Sequence, residues 1–166
     1  MAISGLTPKQ ATAVTSELTT LATDADPAVR TAAVEKLGAV GTPALLVIDV
    51  ARTDAESTVR EAAATAYGEI GDAEAVEWLS LAANEDPDRG VREAAVAAMG
   101  AIGAPEAVDA LLLLIADGPP QVRRRAVAAI TVFDDPRIES ALQRAALDRN
   151  PGVREAAEMV VGRQLR

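Results

Sequence analysis

The sequence predicts an all-α solenoid of five two-helix units, and three observations carry that prediction. Val-Arg pairs recur at Val29-Arg30, Val59-Arg60, Val91-Arg92, Val122-Arg123 and Val153-Arg154, spaced 30, 32, 31 and 31 residues apart. Such a period marks stacked supersecondary units. Glycines keep phase with the pairs. Eight residues after each Arg stand Gly38, Gly68, Gly100, Thr131 and Gly162, and three residues further on come Gly41, Gly71, Gly103 and Asp134. Finally, apolar residues make up 49% of the 166 but aromatics only 2%. The core is therefore left to Ala, Leu, Val and Ile, which suit close-packed helices better than a sandwich of sheets.

Taken in order, the N-terminal segment supplies the first helix, with Thr7-Pro8 as cap and first helical residue and Val14, Leu18 and Leu21 as its apolar stripe. Later first helices follow Thr42-Pro43, Asp72-Ala73, Ala104-Pro105 and Asp135-Pro136. Proline suits an early helix position because its missing N–H has no intrahelical partner there. After Ala104-Pro105, Val108, Leu111, Leu114 and Ile115 fall at helical spacing. The second helices open at "DPAV", "AEST", "DPDRGV", "GPPQV" and "RNPGV". Gly41, Gly71 and Gly103 are expected to end them in the left-handed conformation. Asp134 is expected to do so in the fourth unit, since Asp tolerates that conformation better than most residues. The units run about 1–41, 42–71, 72–103, 104–134 and 135–166, within one domain of residues 1–166. One second-helix position reads Val34, Ala64, Val96 and Val127, then Glu158. A carboxylate there would be costly to bury beneath a further unit, so the stack is expected to end with the fifth, and the chain is not expected to be cut from a longer array.

Composition also narrows the chemistry. There is no Cys and no His. Thiol nucleophiles, zinc thiolate sites, and the commonest general base and transition-metal ligand are thereby removed. Carboxylates are numerous, but none form the spaced loop of a calcium site. Asp134-Asp135 reads as a turn cap, and no strand precedes a Gly-rich loop. Hence no catalytic residue, metal or cofactor is expected. The formal charge of −9 disfavours phosphate backbones and anionic membranes. "MAISGLTPKQ" is not a signal peptide, and the longest apolar run, Ala110 to Ala116, is far too short to cross a bilayer. The expectation is a soluble, cytoplasmic protein that binds neither nucleic acid nor membrane.

The five Arg of the Val-Arg pairs read as structural. Each follows a turn that carries an acceptor, with Asp26, Asp86 and Asp117 as examples. A recurring guanidinium there ties one unit to the next through carboxylates and carbonyls. Gly38, Gly68 and Gly100 recur for packing.

The words "DPAVRTAAVEKLGAVG", "STVREAAATAYGEIG", "GVREAAVAAMGAIGAPEAVDALLLLIAD" and "PGVREAAEMVVG" resemble HEAT repeats, in particular the short PBS-lyase-like form. The resemblance covers nearly the whole chain. It implies a right-handed superhelix whose second helices line the concave face, a face often used to hold another protein. Members of the family include phycobilin lyase subunits, adaptors and chaperone-like assembly factors. The implied function is a non-enzymatic scaffold or adaptor for a protein or peptide. The alternative is an accessory or chaperone-like subunit of a lyase or maturation complex. A HEAT-like DNA glycosylase is a third class, but its basic, aromatic-bearing groove is not reproduced here.

On that face the alignment puts Thr31 and Glu35, then Glu61, Thr65 and Glu69, then Glu93 and Ala97. Arg124, Arg125 and Ala128 follow, and Glu155 and Met159 close the row. Arg124-Arg125 breaks the pattern, because the other units have Thr31-Ala32, Glu61-Ala62, Glu93-Ala94 and Glu155-Ala156. The pair is either the basic end of a groove or plain solvated surface. Residues 54–117 carry net −11 and residues 118–166 net +3. That polarity predicts a partner segment that is basic towards units two and three and acidic or C-terminal towards Arg124 and Arg125. On the first helices, Val50, Leu81 and Leu113 occupy equivalent positions, with Trp78 one turn before Leu81. They form either inter-repeat packing or a convex interface, including one for a homo-oligomer.

Overall fold

The computed structural model describes residues 8–164, and Thr7 lies outside them. Ten α-helices in five pairs run α1 (Pro8–Leu21), α2 (Pro27–Gly38), α3 (Leu45–Ala51), α4 (Ser57–Ile70), α5 (Val76–Glu85), α6 (Arg89–Ile102), α7 (Ala107–Asp117), α8 (Pro120–Ala129), α9 (Arg137–Ala145) and α10 (Pro151–Gln164). No strand occurs among the described residues. The protein is an all-α solenoid. The stripe expected on α7 is buried at Val108, Leu111, Leu114 and Ile115. Val34, Ala64, Val96 and Val127 are fully buried, while Glu158 at the equivalent position is exposed.

Second helices stack directly on one another, α2 on α4, α4 on α6, α6 on α8 and α8 on α10, whereas the first helices touch far less. A stack curves towards its more closely spaced layer, so the second helices form the inner face. Glycine permits the close spacing. A Cβ on Gly68 would lie 3.0 Å from Ala98 Cα, and one on Gly100 would lie 3.3 Å from Ala129 Cα. Gly38 faces Ala66 in the same way. Gly162, at the corresponding place in the fifth unit, faces open space. Gly68→Val must therefore push two helix backbones apart, and should cost about 1–3 kcal/mol. Gly162→Val should stay within about 0.5 kcal/mol of wild type. Urea unfolding of the two variants checks the pair, and equal losses would show that the contact does not set the helix spacing.

Helix ends follow the sequence expectation in part. Gly71 and Gly103 are left-handed and cap α4 and α6. Gly41 also has positive φ, but α2 has already ended at Gly38, and Gly41 instead precedes the short 3-10 turn Thr42–Ala44. Asp134 does not adopt the left-handed conformation, since no described non-glycine residue has positive φ. A 3-10 turn at Ile130–Val132 takes up the end of α8 instead, and Phe133 is already extended. The tighter turn satisfies terminal carbonyls without a left-handed residue.

Three of the five Arg residues tie adjacent units together, while Arg92 and Arg154 bond only carbonyls of their own preceding turn. Arg30 grips Asp54 through Nε and Nη2 at 2.8 and 2.9 Å, and Arg60 grips Asp86 at the same distances. Arg123 holds Asp148 at 2.8 and 2.7 Å. The Nη1 groups donate to carbonyls of the preceding turn, Asp24 for Arg30 and Asp54 for Arg60. Asp54 and Asp148 are held below the usual carboxylate range by these guanidinium hydrogen bonds. For Asp86, burial pushes upward, but Arg60 and the Asp88 N–H together bring it below that range. The partners are thus the Asp six residues before the next Arg. Of the acceptors named from sequence, only Asp86 receives an Arg side chain; Asp26 caps α2, accepting from the Ala28 N–H.

Asp117 is the exception within the ladder. It is exposed, and the buried Nε of Arg92, which it would meet by analogy, has no partner. Asp24, Asp54, Asp86 and Asp148 each accept the N–H two residues on, from Asp26, Glu56, Asp88 and Asn150, at 2.8, 2.9, 2.9 and 2.7 Å. In Asp54, Asp86 and Asp148 the carboxylate held this way also accepts the Arg of the preceding unit. Two residues after Asp117 stands Pro119, which has no N–H to give.

Candidate interaction sites

The twelve partner-binding candidates named from sequence lie on α2, α4, α6, α8 and α10, and none of them is buried. Six line one groove of about 420 Å³ along α4 and α6: Glu61, Thr65, Glu69, Glu93, Ala97 and Arg125. Its floor is made of Gly68, Ala94, Ala98 and Ala101. The glycine and alanines needed for close helix stacking also leave the room above it. Thr31 and Glu35 lie on α2 and Ala128 on α8, while Glu155 and Met159 lie on α10; all five are outside this groove. Thr31 is tied to Thr58 by a 3.1 Å hydroxyl contact.

The two extra arginines part company. Arg125 reaches back into the groove, where its Nε donates a long 3.5 Å bond to the Glu93 carbonyl. The stem of Arg124 passes near Gly152 at the start of α10 instead. The acids are also unequal. Glu93 is paired with Arg89 at 2.6 Å, one helical turn earlier. Glu61 lies over Gly90 in the first turn of α6, where the positive end of the helix favours a carboxylate. Glu69 lies over Gly38 and has no ion pair among the described residues. Sequence reasoning missed Arg89; its spacing of four from Glu93 was the available signal.

The outer face holds a second feature. Val50, Leu81 and Leu113 are 66%, 53% and 60% exposed, so they do not pack between repeats. Leu46, which was not singled out, extends the strip at 81% exposure; it stands one turn before Val50, as Trp78 does before Leu81. A cleft of about 650 Å³ opens between α5, α7 and the end of α3, with Trp78, Leu81, Leu113 and Leu114 among its walls. Trp78 is half-buried and leans on Tyr67, ring centroids 5.6 Å apart and planes tilted by 50°. Tyr67 is fixed in turn by a 2.5 Å bond from its hydroxyl to Asp49 on α3. Burial and that carboxylate push the Tyr67 hydroxyl well above its ordinary range.

Among the described residues no three His, Cys, Asp or Glu side chains converge to hold a metal ion, and no helix is long and apolar enough to cross a membrane.

The paired helices and continuous inner layer define a helical-repeat solenoid. The family of HEAT repeats matches residues 45–119 and 108–164, and the chain belongs to that family. No curated protein matches. Among solved structures, a chain from the complex of CpcE and CpcF of phycocyanin lyase from Nostoc sp. PCC7120 is similar at TM-score 0.73 and 20% identity, over 90% of this chain and 98% of that one. A designed armadillo repeat protein in complex with peptide (KR)4 is similar at TM-score 0.67 and 21% identity, over 93% and 82%. These likenesses are of fold.

Proposed function

We propose that this chain is a non-enzymatic cytoplasmic scaffold that holds a segment of another protein in the groove of α4 and α6. The observation that carries the reading is the groove itself: small residues on the floor, with Glu61, Glu69 and Glu93 on its sides and Arg125 at one end. The occupant is an extended or helical peptide with basic side chains towards α4 and α6. Its acidic or C-terminal end lies towards Arg125 and, further out, Arg124. The lack of Cys and His supports the non-enzymatic reading, and the similar designed protein bound to a Lys/Arg peptide supports the choice of ligand chemistry.

Peptide (KR)4 is a direct probe. Binding to wild type should be salt-sensitive, and Glu61→Lys with Glu69→Lys should weaken it by roughly tenfold or more. Arg125→Glu should strengthen it. Affinity indifferent to both changes would remove this groove as the site. A second reading, an accessory or chaperone-like subunit of a lyase or maturation complex, draws on the likeness to the phycocyanin lyase complex. A tetrapyrrole that binds the purified chain would favour it.

A further inference from the structure

The outer cleft is independent of the inner groove and has its own chemistry. Its walls are apolar at Trp78, Leu81, Leu113 and Leu114. An adjoining hollow of about 500 Å³ shares Leu113 and adds Ala110, Glu106 and Asp109. Glu74 and Glu77 lie on the rim of both. The charge around this apolar floor is one-sided. Asp109 is bridged to Arg137 at 2.6 Å, and Arg52, the cation among the described residues that line the cleft, is bridged to Asp49 at 3.5 Å. Glu74, Glu77 and Glu106 are exposed and have no ion pair among the described residues.

We propose that the outer cleft between α5 and α7 docks an amphipathic helix of a partner protein, with apolar side chains inward and Lys or Arg along its flanks. Two side-by-side helices offer no sheet edge for strand addition, and a helix brings its own backbone bonds to the apolar walls, so a helix is the occupant that fits the cleft. Helices of ten and eleven residues, α5 and α7, present a face about 15 Å long. That length takes apolar anchors at i, i+3 or i+4, and i+7. Exposed leucines beside a half-buried tryptophan supply the surface for those anchors, and the carboxylates supply the flanks. A second copy is the wrong occupant. A symmetric pairing would set Glu74, Glu77 and Glu106 against their own counterparts in a chain of net charge −9, and like charges face to face oppose association.

Trp78 is the only tryptophan of the chain, so its emission reports directly on the cleft. The probe is a leucine–lysine helical peptide of about three to four turns, compared with a leucine–glutamate peptide of the same pattern. The lysine peptide should shift the Trp78 emission to the blue, with an affinity that falls as salt rises, and the glutamate peptide should not. Leu81→Ser with Leu113→Ser leaves the charge unchanged and should weaken binding by roughly tenfold or more, with helicity and melting preserved. Glu69→Lys, on the other face, should leave the emission change intact. The proposal is overturned if the lysine peptide leaves Trp78 unmoved at saturating concentration, or if both peptides bind alike. It is also overturned if the serine changes have no effect. A Trp78 shift that grows with protein concentration alone, together with a dimer by sedimentation, would make a second copy the occupant and overturn the basic partner.

Discussion

Val96→Asp is expected to lower the unfolding free energy by about 3 kcal/mol or more, the largest loss from any single apolar position considered. Val96 lies on α6 in the middle of the stack and is fully buried. Its neighbours on the equivalent row, Ala64 and Val127, are buried too and have no polar group to offer a carboxylate. The aspartate must either ionise without a partner or take up a proton, and both routes cost stability. Position amplifies the effect. A solenoid is held by contacts between adjacent units, so damage to a central unit uncouples both sides, whereas a terminal unit frays alone. Glu158 occupies the same row position on α10 and is exposed. Glu158→Val should therefore change stability by no more than about 0.5 kcal/mol. Urea titration followed by circular dichroism measures both. Val96→Asp unfolding at the wild-type midpoint would mean that the inner layer does not pack as described.

The architecture was legible because it is written five times. A single Val-Arg pair or glycine means little, but the phase of Arg30, Arg60, Arg92, Arg123 and Arg154 with Gly38, Gly68 and Gly100 specifies where helices must touch. The structure places those glycines against Ala66, Ala98 and Ala129. Departures from the repeat were harder to read, because their consequences depend on three-dimensional neighbours. Asp134 looked like a stand-in for glycine, yet the chain ends α8 with a 3-10 turn and needs no left-handed residue. Arg124 and Arg125 read as a pair, either a basic groove end or solvated surface, whereas adjacent helical positions point about 100° apart, and the two side chains reach different neighbours. Glu93, named for the same face, is paired with Arg89 one turn earlier. The outer strip was seen in outline through Val50, Trp78, Leu81 and Leu113. Its acidic rim came into view only when α5 and α7 were brought side by side.

Asp148→Ala and Asp117→Ala change the same residue type at the same repeat position, and they should behave oppositely. Asp148 binds Arg123 by two hydrogen bonds, and Arg123 is the only buried charged residue among those described, 4% exposed. Its remaining bond, from Nη1 to the Gly118 carbonyl, lies within its own unit. Removing Asp148 strands a buried guanidinium and cuts the tie from α8 to the turn before α10, a loss of about 3 kcal/mol. Among the described residues no partner reaches the Asp117 carboxylate, since Pro119 lacks the N–H that would orient it towards Arg92, so Asp117→Ala should be near neutral. Pro119→Asp tests the cause. It restores the N–H and a capping side chain at the place held by Asp26, Asp88 and Asn150 elsewhere, and should stabilise the fold by about 1 kcal/mol. Restored orientation also gives Arg92 its missing partner. In the Pro119→Asp background, then, Asp117→Ala should become costly, and the double-mutant cycle should show a coupling of about 1 kcal/mol or more between positions 117 and 119. Zero coupling, with Asp117→Ala equally silent in both backgrounds, would show that the proline is not what opens the ladder between the third and fourth units.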